Sequence, residues 1–284
     1  MNLEKILAHQ FKDIEFTATP RDCMLYALGI GVGMRPEDQR DLQFTYEDGL
    51  KFFPSYVNVI CHPGAWITAP EFEVSWVKLL HGEQSFINHR QPKPGKTYVG
   101  SYKVIGVIDK GEGKGAMMYL QKELREKGSN DVVSTVTSTY VLRGDGGSGG
   151  TMGEAPKIHA IPETAAQATC ALPTLPQAAL IYRLSGDYNP IHASPAIAKK
   201  AGFERPILHG LCTFGVATRA ILQTWCDDDP AKLKSVNLRF SLPVYPGETI
   251  VTEMWKDGNV VSFRSRLKER DVVVINNGKC TLRH

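Results

Sequence analysis

The sequence predicts an α+β fold in which antiparallel sheet wraps a central helix, and three observations carry that expectation. Short runs of alternating apolar residues recur between Gly- and Pro-containing turns, the pattern of half-buried antiparallel strands. One segment, after Gly210, places apolar residues at helical spacing instead. The strand series also occurs twice, once on each side of a Gly/Pro-rich stretch, and Pro94-Gly-Lys-Thr97 in the first series is echoed by Pro246-Gly-Glu-Thr249 in the second. The two halves read as a diverged duplication.

In chain order, the first half offers strands at residues 100–108, 116–124 and 132–142, after the turn at Pro94-Gly95. Residues 144–153 then read GDGGSGGTMG, with Pro156, Pro162, Pro173 and Pro176 following, which is the composition of a linker. A glycine-rich ligand loop is the alternative. Both this stretch and GEGKG at residues 111–115 lack the full context of a phosphate cradle, a strand, then GxxxxGK-Ser/Thr, then a helix. In the second half, Leu211, Phe214, Thr218, Ile221, Leu222 and Trp225 mark a helix, and strands are expected at residues 236–240, 248–255, 260–267 and 272–282, with a turn at Asp257-Gly258. An antiparallel sheet must cover its apolar face, and this helix is the available cover.

Composition narrows the function. A chain of 284 residues with 42% hydrophobic content can bury a substantial core. A formal charge of +3 is too small to demand nucleic acid, and no basic-aromatic module is present; the cations between Arg264 and Arg270 read as a solvated strand face. Six scattered cysteines without a C-x-x-C pair favour reduced thiols and an intracellular compartment. No stretch of about 18 apolar residues and no secretory apolar core appear, so a soluble protein away from the membrane is expected. The final Leu-Arg-His is not a peroxisomal address of the S-K-L type. No metal-ligand spacing is present, GLCTFG at residues 210–215 lacks the G-x-S-x-G elbow, and no glycine cluster has the strand-to-helix context of a Rossmann fingerprint, so no metal, covalent intermediate or cofactor is expected.

Chemistry concentrates between Tyr182 and Gly215, where YRLSGDYNPIH is followed by GFERPILHGLCTFG. Asp187, Asn189 and His192 surround Pro190, whose fixed φ and missing N–H put them on a rigid loop. An acid and an imidazole together can handle the protons of a water molecule, an amide can orient it, and the N–H groups of a helix starting at Gly210 can hold a developing anion. Each residue also has a bland reading. Asp187 and Asn189 are ordinary turn formers, His192 alone would be a hydrogen-bonded structural histidine, and Gly210 simply begins a helix.

The whole block decides between these readings, because it resembles the 2-enoyl-CoA hydratase 2 family, the MaoC-like dehydratases that include the hydratase part of peroxisomal multifunctional enzyme type 2. The likeness continues through Arg239-Phe240, Pro243-Val-Tyr-Pro-Gly247 and Thr252-Glu-Met-Trp-Lys256. It implies a double hot-dog fold, with two antiparallel sheets each wrapping a central helix: a degenerate acyl-CoA-binding unit over residues 1–143, a linker over 144–162 and a catalytic unit over 163–284. It implies reversible hydration of trans-2-enoyl-CoA to (3R)-3-hydroxyacyl-CoA in fatty-acid β-oxidation, carried by Asp187, Asn189, His192 and Gly210. Substrate contacts are implied at His81 and Gly82 of Leu80-His-Gly-Glu-Gln84, at Lys110, at Tyr188, Pro190 and Ile191, and at Phe240. The bland alternatives are a strand turn for His81 and Gly82, a solvated hairpin charge for Lys110 and core packing for Phe240. Since Asp-x-Asn-x-x-His occurs only in the second half, one catalytic centre is expected. The resemblance further implies a homodimer acting on acyl-CoA, with CoA as part of the substrate, in peroxisome or cytoplasm. A hot-dog acyl-CoA thioesterase and a non-catalytic acyl-CoA-binding module are the competing functions.

Overall fold

The computed structural model describes residues 1–152 and 154–283; Gly153 at the end of the predicted glycine run and His284 of the tail lie outside them. The first half supplies β1 (Ile14–Thr17), β2 (Leu79–Asn88), β3 (Thr97–Asp109), β4 (Ala116–Glu126) and β5 (Val132–Leu142). The second supplies β6 (Ala168–Pro173), β7 (Leu233–Phe240), β8 (Thr249–Asp257), β9 (Val260–Leu267) and β10 (Val273–Leu282). Their order is β1-β3-β4-β5-β2-β7-β10-β9-β8-β6. From either edge inward, each half places its first, third, fourth, fifth and second strand in turn. The duplication inferred from the strand series is therefore written into the topology.

The expectation of two sheets is corrected. β2 and β7 pair antiparallel, with Glu83 opposite Arg239 and Phe86 opposite Val236, so the strands form one continuous ten-stranded sheet. Alternation predicts neither β2 nor the edge strands β1 and β6. In β2 the polar Gln84 and Asn88 are buried while the apolar Leu80 and Ile87 are exposed, so its sequence does not show which face is covered, and edge strands as short as β1 and β6 carry little pattern.

The expected helix is α6 (Gly210–Trp225), and Cys212 through Leu222 are all buried. A helix apolar around most of its circumference belongs inside, and α6 packs against β6, β7 and β8. The expectation of a central helix in each half is also corrected, because the matching interior of the first half holds only a 3-10 turn, Pro54–Asn58, begun by its proline. Phe52, Phe53, Tyr56, Val57, Val59 and Ile60 around this turn are buried and fill that space. Burying each such side chain is worth about 1.5–3 kcal/mol. The buried Lys122 of β4 donates from Nζ to the carbonyls of Val57 (2.8 Å) and Ile60 (2.7 Å), satisfying acceptors at the end of the turn.

The remaining helices are short: α1 (Leu3–Ala8), α2 (Pro20–Gly29), α3 (Gln39–Thr45), α4 (Ala178–Tyr182) and α5 (Pro195–Lys200). Asp41 of α3 is buried and joins the halves. It accepts hydrogen bonds from the Gly33 and Arg35 amides (3.0 and 3.2 Å) and pairs with the buried Arg219 of α6 at 3.3 Å.

The glycine-rich stretch between the halves is hydrogen-bonded to β3. Asp109 takes Gly111 N–H and Gly149 N–H at 2.8 and 2.7 Å, and Gly147 N–H at 2.9 Å. A Cβ on Gly146 would lie 2.1 Å from the Gly111 carbonyl oxygen, so only glycine allows this approach. The amides of Gly147, Gly111 and Gly149 lower the Asp109 pKa. Further along, Val107 N–H donates to Thr151 Oγ1 (3.0 Å) while its carbonyl accepts from Thr151 N (2.8 Å). Among the described residues, no helix is long and apolar enough to cross a membrane.

Candidate active site

The loop after α4 reaches Asp187, and Asn189 organises the turn beyond it. Asp187 Oδ1 accepts from Asn189 N–H, and Asn189 Oδ1 accepts from Ile191 N–H, each at 3.1 Å. These two side-chain contacts start the 3-10 turn Pro190–His192. The bland turn-forming role of both residues is thus real, and it is also what fixes the acid and the imidazole in place.

His192 is buried, and its Nδ1 lies 2.8 Å from the Ile207 carbonyl. A carbonyl only accepts, so Nδ1 carries the proton and Nε2 is left with a lone pair. Burial lowers the His192 pKa, opposed by the Ile207 hydrogen bond and by the Asp187 charge. The ring is therefore a neutral acceptor near neutral pH.

Residues 206–208 lead into α6, and Leu208 N–H is tied to the Val244 carbonyl at 2.7 Å. His209 occupies the cap position of α6 without capping it by its side chain. The helix start at Gly210 consequently keeps first-turn N–H donors free of side-chain acceptors. One donor atom from each of Asp187, His192 and His209 lies within 4.8 Å of the other two. A single water spans about 5.6 Å between two hydrogen-bond partners, so this separation suits one shared water. The two imidazoles are stacked at 3.7 Å with 26° between their planes.

The first half reaches the same place through β2. Register shifts between His81 and Glu83, so Gly82 sits at a bulge; a Cβ there would stand 2.7 Å from the Val141 side chain. His81 packs edge-on against Phe240 at 5.1 Å, and the Phe240 ring lies where a Cβ on Gly210 would touch it, at 3.5 Å. His81 Nε2 meets Gln84 Oε1 at 2.9 Å, and Gln84 Nε2 donates to Asn58 at 3.0 Å. Desolvation lowers His81 to about 4 and lowers His62 as well, and in both the charge of Asp187 acts in the opposite direction. Acid, imidazole, helix start, His81 and Phe240 are thus one neighbourhood built from both halves.

The other expected residues are placed differently. Tyr188 is 58% exposed, with the Arg183 guanidinium 4.9 Å from its ring centre, and Pro190 is exposed while Ile191 is partly covered. Lys110 lies in the β3–β4 turn, three strands away from β2, though burial raises the Glu83 pKa and the charges of Arg239 and Lys110 counter it. Sequence reasoning misses His209 and His62. His209 stands beside the glycine that the helix start marks, but its stacking on His192 joins residues far apart in the chain.

Comparison with known proteins gives this neighbourhood its relatives. Residues 157–278 match the MaoC like domain, and residues 16–144 match the MFE-2 hydratase 2 N-terminal domain. The Arabidopsis thaliana protein named peroxisomal enoyl-CoA hydratase 2 is 36% identical, over 96% of this chain and 93% of its own. The crystal structure of a MaoC-like dehydratase from Phytophthora capsici superposes with a TM-score of 0.86 at 36% identity, covering 100% of this chain and 99% of that one. A Mycobacterium tuberculosis protein described as having a double hot-dog fold is similar in fold alone, with a TM-score of 0.56, 14% identity and 96% of each chain covered. With both halves matched in order and a relative aligned along nearly its whole length, the chain belongs to the enoyl-CoA hydratase 2 family of MaoC-like proteins.

Proposed function

We propose that this protein reversibly hydrates trans-2-enoyl-CoA to (3R)-3-hydroxyacyl-CoA. The observation that carries the reading is His192, whose Nδ1 is committed to the Ile207 carbonyl and one of whose ring nitrogens lies within 4.8 Å of an Asp187 carboxylate oxygen, next to a start of α6 that no side chain caps. A water between the two groups forms its O–C bond at the β-carbon. The π electrons move toward the thioester oxygen, where the Gly210 N–H meets the developing charge. One proton leaves the water to the pair, and one proton passes from the pair to the α-carbon, so a single water is added overall. Asn189 keeps Asp187 oriented, and His81 and Phe240 wall the acyl side.

The same reading takes Gly82, Lys110, Tyr188, Pro190 and Ile191 as substrate contacts, Lys110 toward the CoA phosphates. It takes the chain as a double hot-dog, with a first unit over residues 1–143 that binds acyl-CoA, a connector over 144–162 and a catalytic unit over 163–284. The mirrored strand order supports that division. It places a homodimer in fatty-acid β-oxidation, in peroxisome or cytoplasm, with no cofactor or metal beyond the CoA of the substrate and no nucleic-acid or membrane partner.

Product analysis with an enoyl-CoA tests the reading. Hydration leaves the thioester intact and gives the (3R) alcohol, as read by chiral analysis or by an R-specific dehydrogenase. Release of free thiol would identify a thioesterase, binding without turnover a carrier, and predominantly (3S) product a different facial geometry.

A further inference from the structure

We propose that His209 is a positioning residue of this site, which holds Asp187 through the loop backbone and holds His192 through ring stacking. The inference rests on the hydratase reading for its kinetic part alone.

Three observations converge on this histidine. Its side chain is buried at 1% exposure, in a cap position whose usual service to the helix it does not perform. Its Nε2 lies 3.2 Å from the Asp187 carbonyl, so Nε2 carries the proton and donates it to the backbone of the residue whose side chain handles water. Its ring lies flat against His192 at 3.7 Å, and its Nδ1 is buried without a partner among the described residues. A buried imidazole with one committed donor and one idle acceptor is neutral, and burial with the nearby His192 lowers its pKa to about 4. Asp187 acts against that shift, and Arg183 adds to it. Tyr182 packs on the same ring at 4.9 Å. From the first half, His62 and His81 lie within reach of the Asp187 charge.

Two effects follow. The Nε2–H···O=C bond fixes where Asp187 leaves the loop, which matters because misplacing a reacting group by about 1 Å can cost on the order of 100-fold in rate. The neutral ring also keeps water off one face of His192. Protonating His192 then places a cation against a desolvating wall, and its pKa is held down. Because the proposed reaction needs neutral His192, the acid limb of kcat/KM follows the folded pKa of His192, and activity is retained to lower pH than an ordinary histidine would allow.

Two substitutions separate these effects. His209→Gln can keep a donor for the Asp187 carbonyl but removes the stacked ring. His209→Phe keeps a ring on His192 but removes the donor. With 13C-labelled histidine, and with His192→Ala used to assign the His192 resonance, His209→Gln raises the His192 titration midpoint by about half to one pH unit and moves the acid limb of kcat/KM up with it. His209→Phe leaves that midpoint in place but lowers kcat by about 10- to 100-fold, with KM changed by less than about threefold. Circular dichroism checks folding, and should one variant unfold, the other still decides its own half of the proposal. A folded His209→Gln protein with an unchanged His192 midpoint, or a folded His209→Phe protein with wild-type kcat, overturns the corresponding role. If the wild-type protein hydrates no enoyl-CoA, the functional reading fails by itself, and the titration still tests the stack.

Discussion

The two halves share one strand plan and differ at its centre. In the second half a 16-residue helix crosses the interior and leaves its N–H donors open at Gly210. In the first half a five-residue 3-10 turn fills the corresponding place, and its carbonyl end is closed from inside by Lys122. One centre exposes backbone donors to a site, and the other consumes backbone acceptors in the core. On the proposed function, the duplicated scaffold keeps its sheet while one copy carries the chemistry and the other the packing.

Removing chemistry from the second half is the strongest way to test this contrast. His192→Ala is expected to lower kcat by about 1,000-fold without unfolding, in line with the usual contribution of a general acid or base. The corresponding truncation in the first half, His81→Ala, raises KM more than it lowers kcat. Steady-state hydration kinetics beside circular dichroism check both, and a catalytic loss at His81 as deep as that at His192 breaks the division of labour.

The link between the halves comes next in size. Asp41→Asn removes the carboxylate paired with the buried Arg219 guanidinium, and we expect about 3 kcal/mol of lost stability in urea unfolding. Since the sheet is continuous, a single transition is expected before and after the substitution. Two separate transitions would mean that the halves are independent units.

Lys122 makes the first-half core pH-dependent. Burial lowers its pKa from 10.5 to about 8, so between those values the unfolded chain binds a proton that the folded chain does not. The contribution of this group to stability therefore rises with pH across that window. Its neighbour Cys61 is pushed up by burial to about 11 and stays protonated through most of it. Against Lys122→Met, which cannot titrate, the wild type should gain about 2 kcal/mol in unfolding free energy between about pH 7.5 and pH 9.5. A constant difference across that range would show that the ammonium is solvated.

The smallest effect lies in the connector. Asp109→Ala should speed hydrogen exchange at the Gly147 and Gly149 amides while leaving β2 and β7 protected. Lowering the pH toward the carboxylate range should reduce the protection factors of these amides in the wild type, because a depressed carboxyl pKa contributes stability that is lost as the group protonates. Unchanged exchange at both glycines would detach the connector from Asp109.

The outer hairpins are legible in the sequence for a simple reason. β3 to β5 and β8 to β10 alternate, and they are separated by glycine turns or, between β9 and β10, by the charged run Lys268–Asp271, so their period and boundaries both show. β2 reads as a strand turn at most, because the bulge at Gly82 interrupts its alternation. Asp187 and His192 are legible as a dense local motif. The missing helix of the first half is not, since Phe52 to Cys61 is an apolar run without a period, and the 3-10 turn within it depends on a lysine 62 residues beyond Ile60. His209 is hidden because stacking leaves no periodic trace. The glycine clusters lack the context of nucleotide loops, but the group they do bind, the Asp109 carboxylate, lies two residues before one cluster and 38 before Gly147 of the other.

The β2–β7 seam has a further consequence. Where two identical subunits meet across paired strands, every substitution appears twice, and a change that disables one centre disables both. Here the partners of the seam are different segments of a single polypeptide, so each side position occurs once per pair. Glu83 faces Arg239 at one end of the pairing and Ile87 faces Ser235 at the other, whereas a two-fold seam would repeat one pair at both ends. A substitution on one side of the seam therefore leaves the residues on the other side unchanged, and the two sides are bound to each other only by keeping the row of hydrogen bonds between them.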